Sequence, residues 1–125
     1  TIEEPLALAD ALRRAAARHD VILVDCLTLW ITNLLGAGVN VAAAVEQLVE
    51  ALNAIDSCEI VLVSNEVGLG IVPDNALART FRDLAGAAHQ RLAVVCDDVY
   101  FIVAGLPMIL KGRPPYASPP RPGEA

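Results

Sequence analysis

Two short runs of strand-forming residues, VILV at 21–24 and IVLV at 60–63, constrain this chain more than any other feature. Each is apolar throughout and each breaks on polar residues, Asp25 in the first case and Ser64, Asn65 and Glu66 in the second. Between them lie two helical patterns. Residues 27–35 are apolar and free of breakers up to Gly36. Val41, Val45, Leu48, Val49, Leu52 and Ile55 then recur at steps of three and four, with Asn40 placed to cap them. Strands joined through helices pair in parallel, and continuously apolar strands are buried on both faces. The expectation is an α/β fold, a mainly parallel sheet with helices on both faces. In such sheets ligands gather beyond the carboxyl ends of the strands, which is where Asp25 and the 64–66 triplet fall.

The flanking segments extend the pattern. Thr1 and Glu4 have the spacing of a capping box, and Leu8, Leu12 and Ala16 follow every fourth residue, so a helix is predicted over 3–18. Beyond the second strand comes a loop with Gly68, Gly70 and Pro73, and then a third helix capped by Asp74 and striped by Leu77, Phe81, Leu84 and Ala88. Residues 92–96 and 99–104 read as two strands around Asp97 and Asp98, close enough to form an antiparallel hairpin at the C-terminal end. From Lys111 onward the composition changes. Residues 111–125 hold five of the eight prolines and no apolar period, which predicts a mobile tail, with a proline-rich partner ligand as the alternative.

Composition removes several function classes. A chain of 125 residues fits one domain. It is 55% hydrophobic, yet no apolar run approaches the roughly 18 residues of a membrane span. Glu3, Glu4 and Asp10 stand where a secretory leader would carry basic residues. A net charge of −6 argues against binding nucleic acid through its phosphates, while leaving a small nucleotide site open. Cys26, Cys58 and Cys96 form no C-x-x-C and sit in or beside apolar segments, so reduced, buried thiols of a cytoplasmic protein are expected.

Asp25, closing an apolar strand, suits the acid that holds Mg²⁺ in phosphate-loop enzymes, although many strands end on an Asp that merely starts a turn. The run Ser64, Asn65, Glu66, Val67, Gly68, Leu69, Gly70 suits a loop that approaches a ligand, the plain alternative being a solvated turn. Arg79 and Arg82 either form a solvated helix face or reach phosphates at the sheet edge. His19 is explained by the carboxyl end of its helix, and His89 reads as part of a solvated edge. Neither has the neighbours of a metal site. Two fingerprints are missing. Lys111 is the single lysine and precedes Gly112, so no G-x-x-x-x-G-K-[ST] run exists among these residues, and Pro73 spoils a dinucleotide motif beginning at Gly68.

The runs LVDCLTLWITNLL, 23–35, and LVSNEVGLGIVPDNALARTFRDLAGAAHQRLA, 62–93, resemble the bifunctional adenosylcobinamide kinase/adenosylcobinamide-phosphate guanylyltransferases of cobalamin biosynthesis. The resemblance runs from Thr1 to about Lys111, and the stretch 65–73 carries it. It implies a RecA-like phosphate-loop NTPase fold and a homotrimer, with residues 1–110 as the C-terminal part of that domain. It implies two reactions: phosphorylation of adenosylcobinamide by ATP or GTP, and transfer of GMP from GTP, through an enzyme histidine, to the phosphorylated cobinamide. By the same resemblance Glu3 contacts the guanine nucleotide, Asp25 contacts nucleotide and Mg²⁺, and Asn33, Asn65 and Glu66 line the same region.

The family's first strand, phosphate loop and nucleotidylated histidine correspond to positions before Thr1, so no catalytic residue is expected in this chain, and residues 1–125 alone are expected to be inactive. The alternatives are a non-catalytic remnant or split-enzyme subunit that binds nucleotide, corrinoid or a partner, and a regulatory domain on the same fold.

Overall fold

The computed structural model describes residues 1–115, and most of the predicted tail, 116–125, lies outside the described residues. The chain forms two compact units, Thr1–Val95 and Cys96–Ala125. The first contains α1 (Leu8–Ala16), β1 (Val21–Asp25), α2 (Leu27–Gly36), α3 (Val41–Ala54), β2 (Glu59–Val63) and α4 (Ala76–Val95). The second contains β3 (Val99–Val103) and β4 (Leu106–Lys111).

β1 and β2 pair in parallel, with Val21 opposite Glu59 and Asp25 opposite Val63. The strands alternate. Ile22, Val24, Ile60 and Leu62 turn toward a core centred on Ile31, Leu34 and Leu48, while Val21, Leu23, Val61 and Val63 face outward, 40–64% exposed. Helices on both faces were expected; this sheet has two strands and one covered face. The apolar character of the outward residues shows why the sequence predicts burial on both sides.

The helix ends follow from local chemistry. α2 closes in a Schellman motif: Val39 N–H donates to Leu34 O (3.0 Å), Gly38 N–H donates to Leu35 O (3.1 Å), and Gly38 takes a φ of 70°. α3 opens on Asn40, whose side chain accepts from Ala43 N–H at 3.0 Å, as predicted. At α4 the cap is Asn75 rather than Asp74, its Oδ1 accepting from Leu77 and Ala78 N–H at 2.7 and 3.2 Å. The Thr1 capping box does not form. Glu4 instead accepts from Leu6 and Ala7 N–H at 3.1 and 2.8 Å, and α1 begins at Leu8. The Ala7 and then the Leu6 amide hold the Glu4 carboxyl below its usual value.

The predicted strand at 92–96 is instead the last turn of α4. Ala85, Ala88 and Leu92 are 0–4% exposed, and that helical stripe outweighs the strand preference of Val94 and Val95. The C-terminal hairpin exists, but its strands are β3 and β4, joined through Ala104 and Gly105 at φ 52° and 73°. Two successive positive φ values give the turn whose twist suits a two-residue hairpin. Asp98 then clasps the hairpin's end, accepting from Arg113 N–H at 2.7 Å and from its guanidinium at 3.2 Å.

Among the described residues the three cysteines are unpaired in disulfides, and they are half-buried rather than buried. Burial pushes the Cys96 thiol up from its usual pKa. No described helix is long and apolar enough to cross a membrane.

Candidate functional site

The parallel register puts the two polar strand ends side by side. Asp25 lies opposite Val63, so Ser64, Asn65 and Glu66 continue from the same end of the sheet at which Asp25 closes β1. The Asp25 side chain is exposed and has no hydrogen-bond or ion-pair partner among the described residues. It is a carboxylate held at a strand terminus with its oxygens free.

A buried hydroxyl joins the two strand ends. Thr28, in the first turn of α2, is 7% exposed, and its Oγ1 accepts from Asn65 N–H at 3.0 Å while donating to Cys26 Sγ at 3.6 Å. Burying a hydroxyl is costly unless it is bonded; here the bond ties the segment after β2 to the helix after β1. A second tie comes from α4, where Ser64 Oγ and His89 Nε2 share a hydrogen bond of 2.6 Å. His89 is therefore not a solvated edge residue, because it is half-buried against the end of β2.

Beyond this anchorage Val67 packs partly buried against the core, and the rest of the loop opens to solvent. Glu66 folds back so that its Oε1 accepts from Gly68 N–H. A Cβ at Gly68 would stand 2.8 Å from that same oxygen, the far end of a flexible side chain that can swing aside. Leu69, Ile71 and Val72 are 59–97% exposed.

Of the remaining sequence candidates, Arg79, Arg82 and Asn33 have local partners. Arg79 donates to Pro73 O and Asp74 O at 2.8 and 2.6 Å, clamping the approach to α4. Arg82 pairs with Asp83 at 3.1 Å. Asn33 donates through Nδ2 to Pro5 O at 3.2 Å, and Trp30, one turn earlier on α2, donates to Leu6 O at 2.9 Å. Together they dock the segment that carries the exposed Glu3. A cavity of about 400 Å³ is lined by Ile2, Arg14, Arg18 and His19 with alanines of α1 and its C-cap, and it includes none of the rim residues.

Among the described residues no three His, Cys, Asp or Glu side chains converge as a metal cage. A free carboxylate such as Asp25 fits a different pattern, the Mg²⁺ ion held by one or two carboxylates plus phosphate oxygens and water.

Residues 1–110 match the family described as cobinamide kinase / cobinamide phosphate guanyltransferase. The chain belongs to that family. It is 51% identical over 116 residues to the bifunctional adenosylcobalamin biosynthesis protein CobP of Pseudomonas aeruginosa, covering 91% of this chain and 66% of that protein. It is 43% identical over 109 residues to the Salmonella typhimurium CobU protein of the same description, covering 76% and 60%. The Escherichia coli CobU protein is 35% identical over 125 residues, covering 89% and 69%. The chain thus spans 60–69% of the length of these relatives.

Sequence reasoning missed Thr28 and misread His89. The available signal for Thr28 was a lone hydroxyl inside the apolar stretch LTLWI, three residues after the candidate acid.

Proposed function

We propose that this chain supplies one wall of the nucleotide site of a transferase in cobalamin nucleotide-loop assembly, the enzyme that phosphorylates adenosylcobinamide and transfers GMP from GTP to the product. The observation that carries the reading is the shared sheet end of Asp25 and Ser64, Asn65 and Glu66, in a member of the cobinamide kinase / cobinamide phosphate guanyltransferase family.

In this reading Asp25 holds Mg²⁺ directly or through water, and the ion, when bound, offsets phosphate charge. The unengaged Asp25 carboxylate suits that duty. Asn65 and Glu66 line the rim, with Asn65 fixed by Thr28. Glu3 meets the guanine, on a segment that Asn33 and Trp30 dock. Arg79 and Arg82 serve phosphates only after releasing Pro73, Asp74 and Asp83, so we assign them a supporting place on the loop and helix start. ATP and GTP are the nucleotides, adenosylcobinamide and its phosphate the acceptors, and a homotrimer in the cytoplasm the working form.

Phosphoryl transfer depends on positioned donors around the β- and γ-phosphates, normally a backbone nest and a lysine. These 125 residues contain no phosphate-loop motif, and their one lysine, Lys111, closes β4. In this reading the first strand, phosphate loop and nucleotidylated histidine of a RecA-like fold are not among these residues. Incubating residues 1–125 with GTP, Mg²⁺ and cobinamide should give neither phosphorylated nor guanylylated product. Appreciable product would show that the transfer machinery lies within these residues.

A further inference from the structure

We infer that His89 is a positioning residue: through its bond to Ser64 it holds the start of the 64–70 loop in the geometry that receives nucleotide. The inference rests on the nucleotide reading of the rim given above. It concerns a residue that neither the candidate acid nor the loop motif includes.

Two helices hold the loop's first two residues from different sides. α2 holds Asn65 through the buried Thr28 hydroxyl at 3.0 Å, and α4 holds Ser64 through His89 Nε2 at 2.6 Å. The base of the imidazole is itself fixed, because Ala85 and Ala88, just before it on α4, are 0% and 3% exposed and seat that turn on the core. Past residue 65 Val67 packs partly buried against the core cluster, and the loop then opens to solvent, with Leu69 78% and Ile71 97% exposed. The start of the loop is therefore held by two hydrogen bonds, at Ser64 and Asn65, ahead of the Val67 contact with the core. In this proposal His89 acts through Ser64. Removing one part-buried hydrogen bond costs little of the global fold, yet loses one of the two hydrogen bonds that hold the loop's first residues.

The test uses the full 125-residue chain with His89→Ala, His89→Gln, Ser64→Ala and the Ser64/His89 double alanine variant. Amide hydrogen exchange reads the tether itself, and titration with Mg·GTP reads its consequence. His89→Ala and Ser64→Ala should each speed exchange at Asn65 and Val67 by about three- to tenfold while Leu48 in the core is unchanged. The double variant should go no further than either single one, since both remove the same bond. His89→Gln, which keeps a hydrogen-bonding group at similar reach, should restore slow exchange, and the Mg·GTP response should fall and recover in parallel.

Unchanged exchange in His89→Ala, or additive effects in the double variant, would overturn the tether. A loosened loop with undiminished Mg·GTP binding would overturn the positioning role. A parent chain blind to Mg·GTP would instead count against the nucleotide reading, and the exchange data would still decide the tether. If His89→Ala does not fold, Ser64→Ala and His89→Gln decide the same question.

Discussion

Asn65 donates its backbone N–H to the Thr28 hydroxyl at 3.0 Å, across 37 positions of sequence, and so joins the segments that follow the two parallel strands. Thr28 is also the one buried polar residue in the described core, at 7% exposure. Replacing it with the isosteric Val keeps the shape and removes the acceptor. The Asn65 amide is then left unpaired in a part-buried place, a loss of about 1–3 kcal/mol. Thr28→Val should lower stability by that amount in urea unfolding and speed amide exchange at Asn65. A Val variant as stable as the parent would show that water replaces the hydroxyl without loss.

A free carboxylate at a strand end should attract a divalent ion. With Mn²⁺ as a paramagnetic substitute for Mg²⁺ and GTP present, amide signals near Asp25 should broaden first. Asp25→Asn should abolish that broadening while leaving the fold intact, because Asp25 has no side-chain partner to lose among the described residues. Equal broadening in the variant would move the ion elsewhere.

The end of the β3–β4 hairpin should respond to acid. Arg113, first through its backbone N–H and then through its guanidinium, depresses the pKa of Asp98 below the usual carboxylate value. A depressed folded-state pKa stabilises the clasp above the unfolded carboxylate value, and that stabilisation is lost as pH falls through the folded one. The Arg113 amide signal should therefore move toward its unbonded position only in clearly acidic solution. Gly112→Ala should produce the same detachment at neutral pH. Gly112 sits at φ 86°, where a Cβ would lie 2.1 Å from Asp98 Oδ1 and 2.5 Å from the Asp97 carbonyl.

The core of the first unit is small enough that one truncation should be felt throughout it. Leu48 on α3 is 0% exposed and belongs to the cluster that also receives Ile60 and Leu62 from β2. Leu48→Ala should cost about 2–5 kcal/mol, through lost transfer energy and the cavity left behind. Chemical denaturation measures it directly. A loss below about 1 kcal/mol would indicate that the cluster collapses around the gap.

How much of this was legible depends on whether the cause was local. β1, β2, α2 and α3 follow from runs and periods in adjacent residues, and the Asn40 cap forms as its sequence position suggests. The placing of Asp25 and Ser64, Asn65 and Glu66 at one sheet end follows from parallel pairing alone. The failures have tertiary causes. Leu92 to Val95 suits a strand on propensity, but Leu92 continues the buried stripe of Ala85 and Ala88 and stays helical. Thr1 and Glu4 spell a capping box, but Trp30 and Asn33 claim the Leu6 and Pro5 carbonyls and α1 begins later. His89 has no neighbour in sequence that reveals Ser64, 25 positions away. The outward apolar face of β1 and β2 reads in sequence like any buried strand face, and nothing in the residues distinguishes the two sides.

The most direct measurement is an NMR titration of the isotope-labelled chain with GTP, with and without Mg²⁺. The account predicts that amides at the ends of both strands, from Asp25 to Thr28 and from Ser64 to Gly68, shift together, and that the change depends on Mg²⁺ and is lost in Asp25→Asn. Shifts confined to other parts of the molecule, or identical titrations for parent and variant, would contradict it.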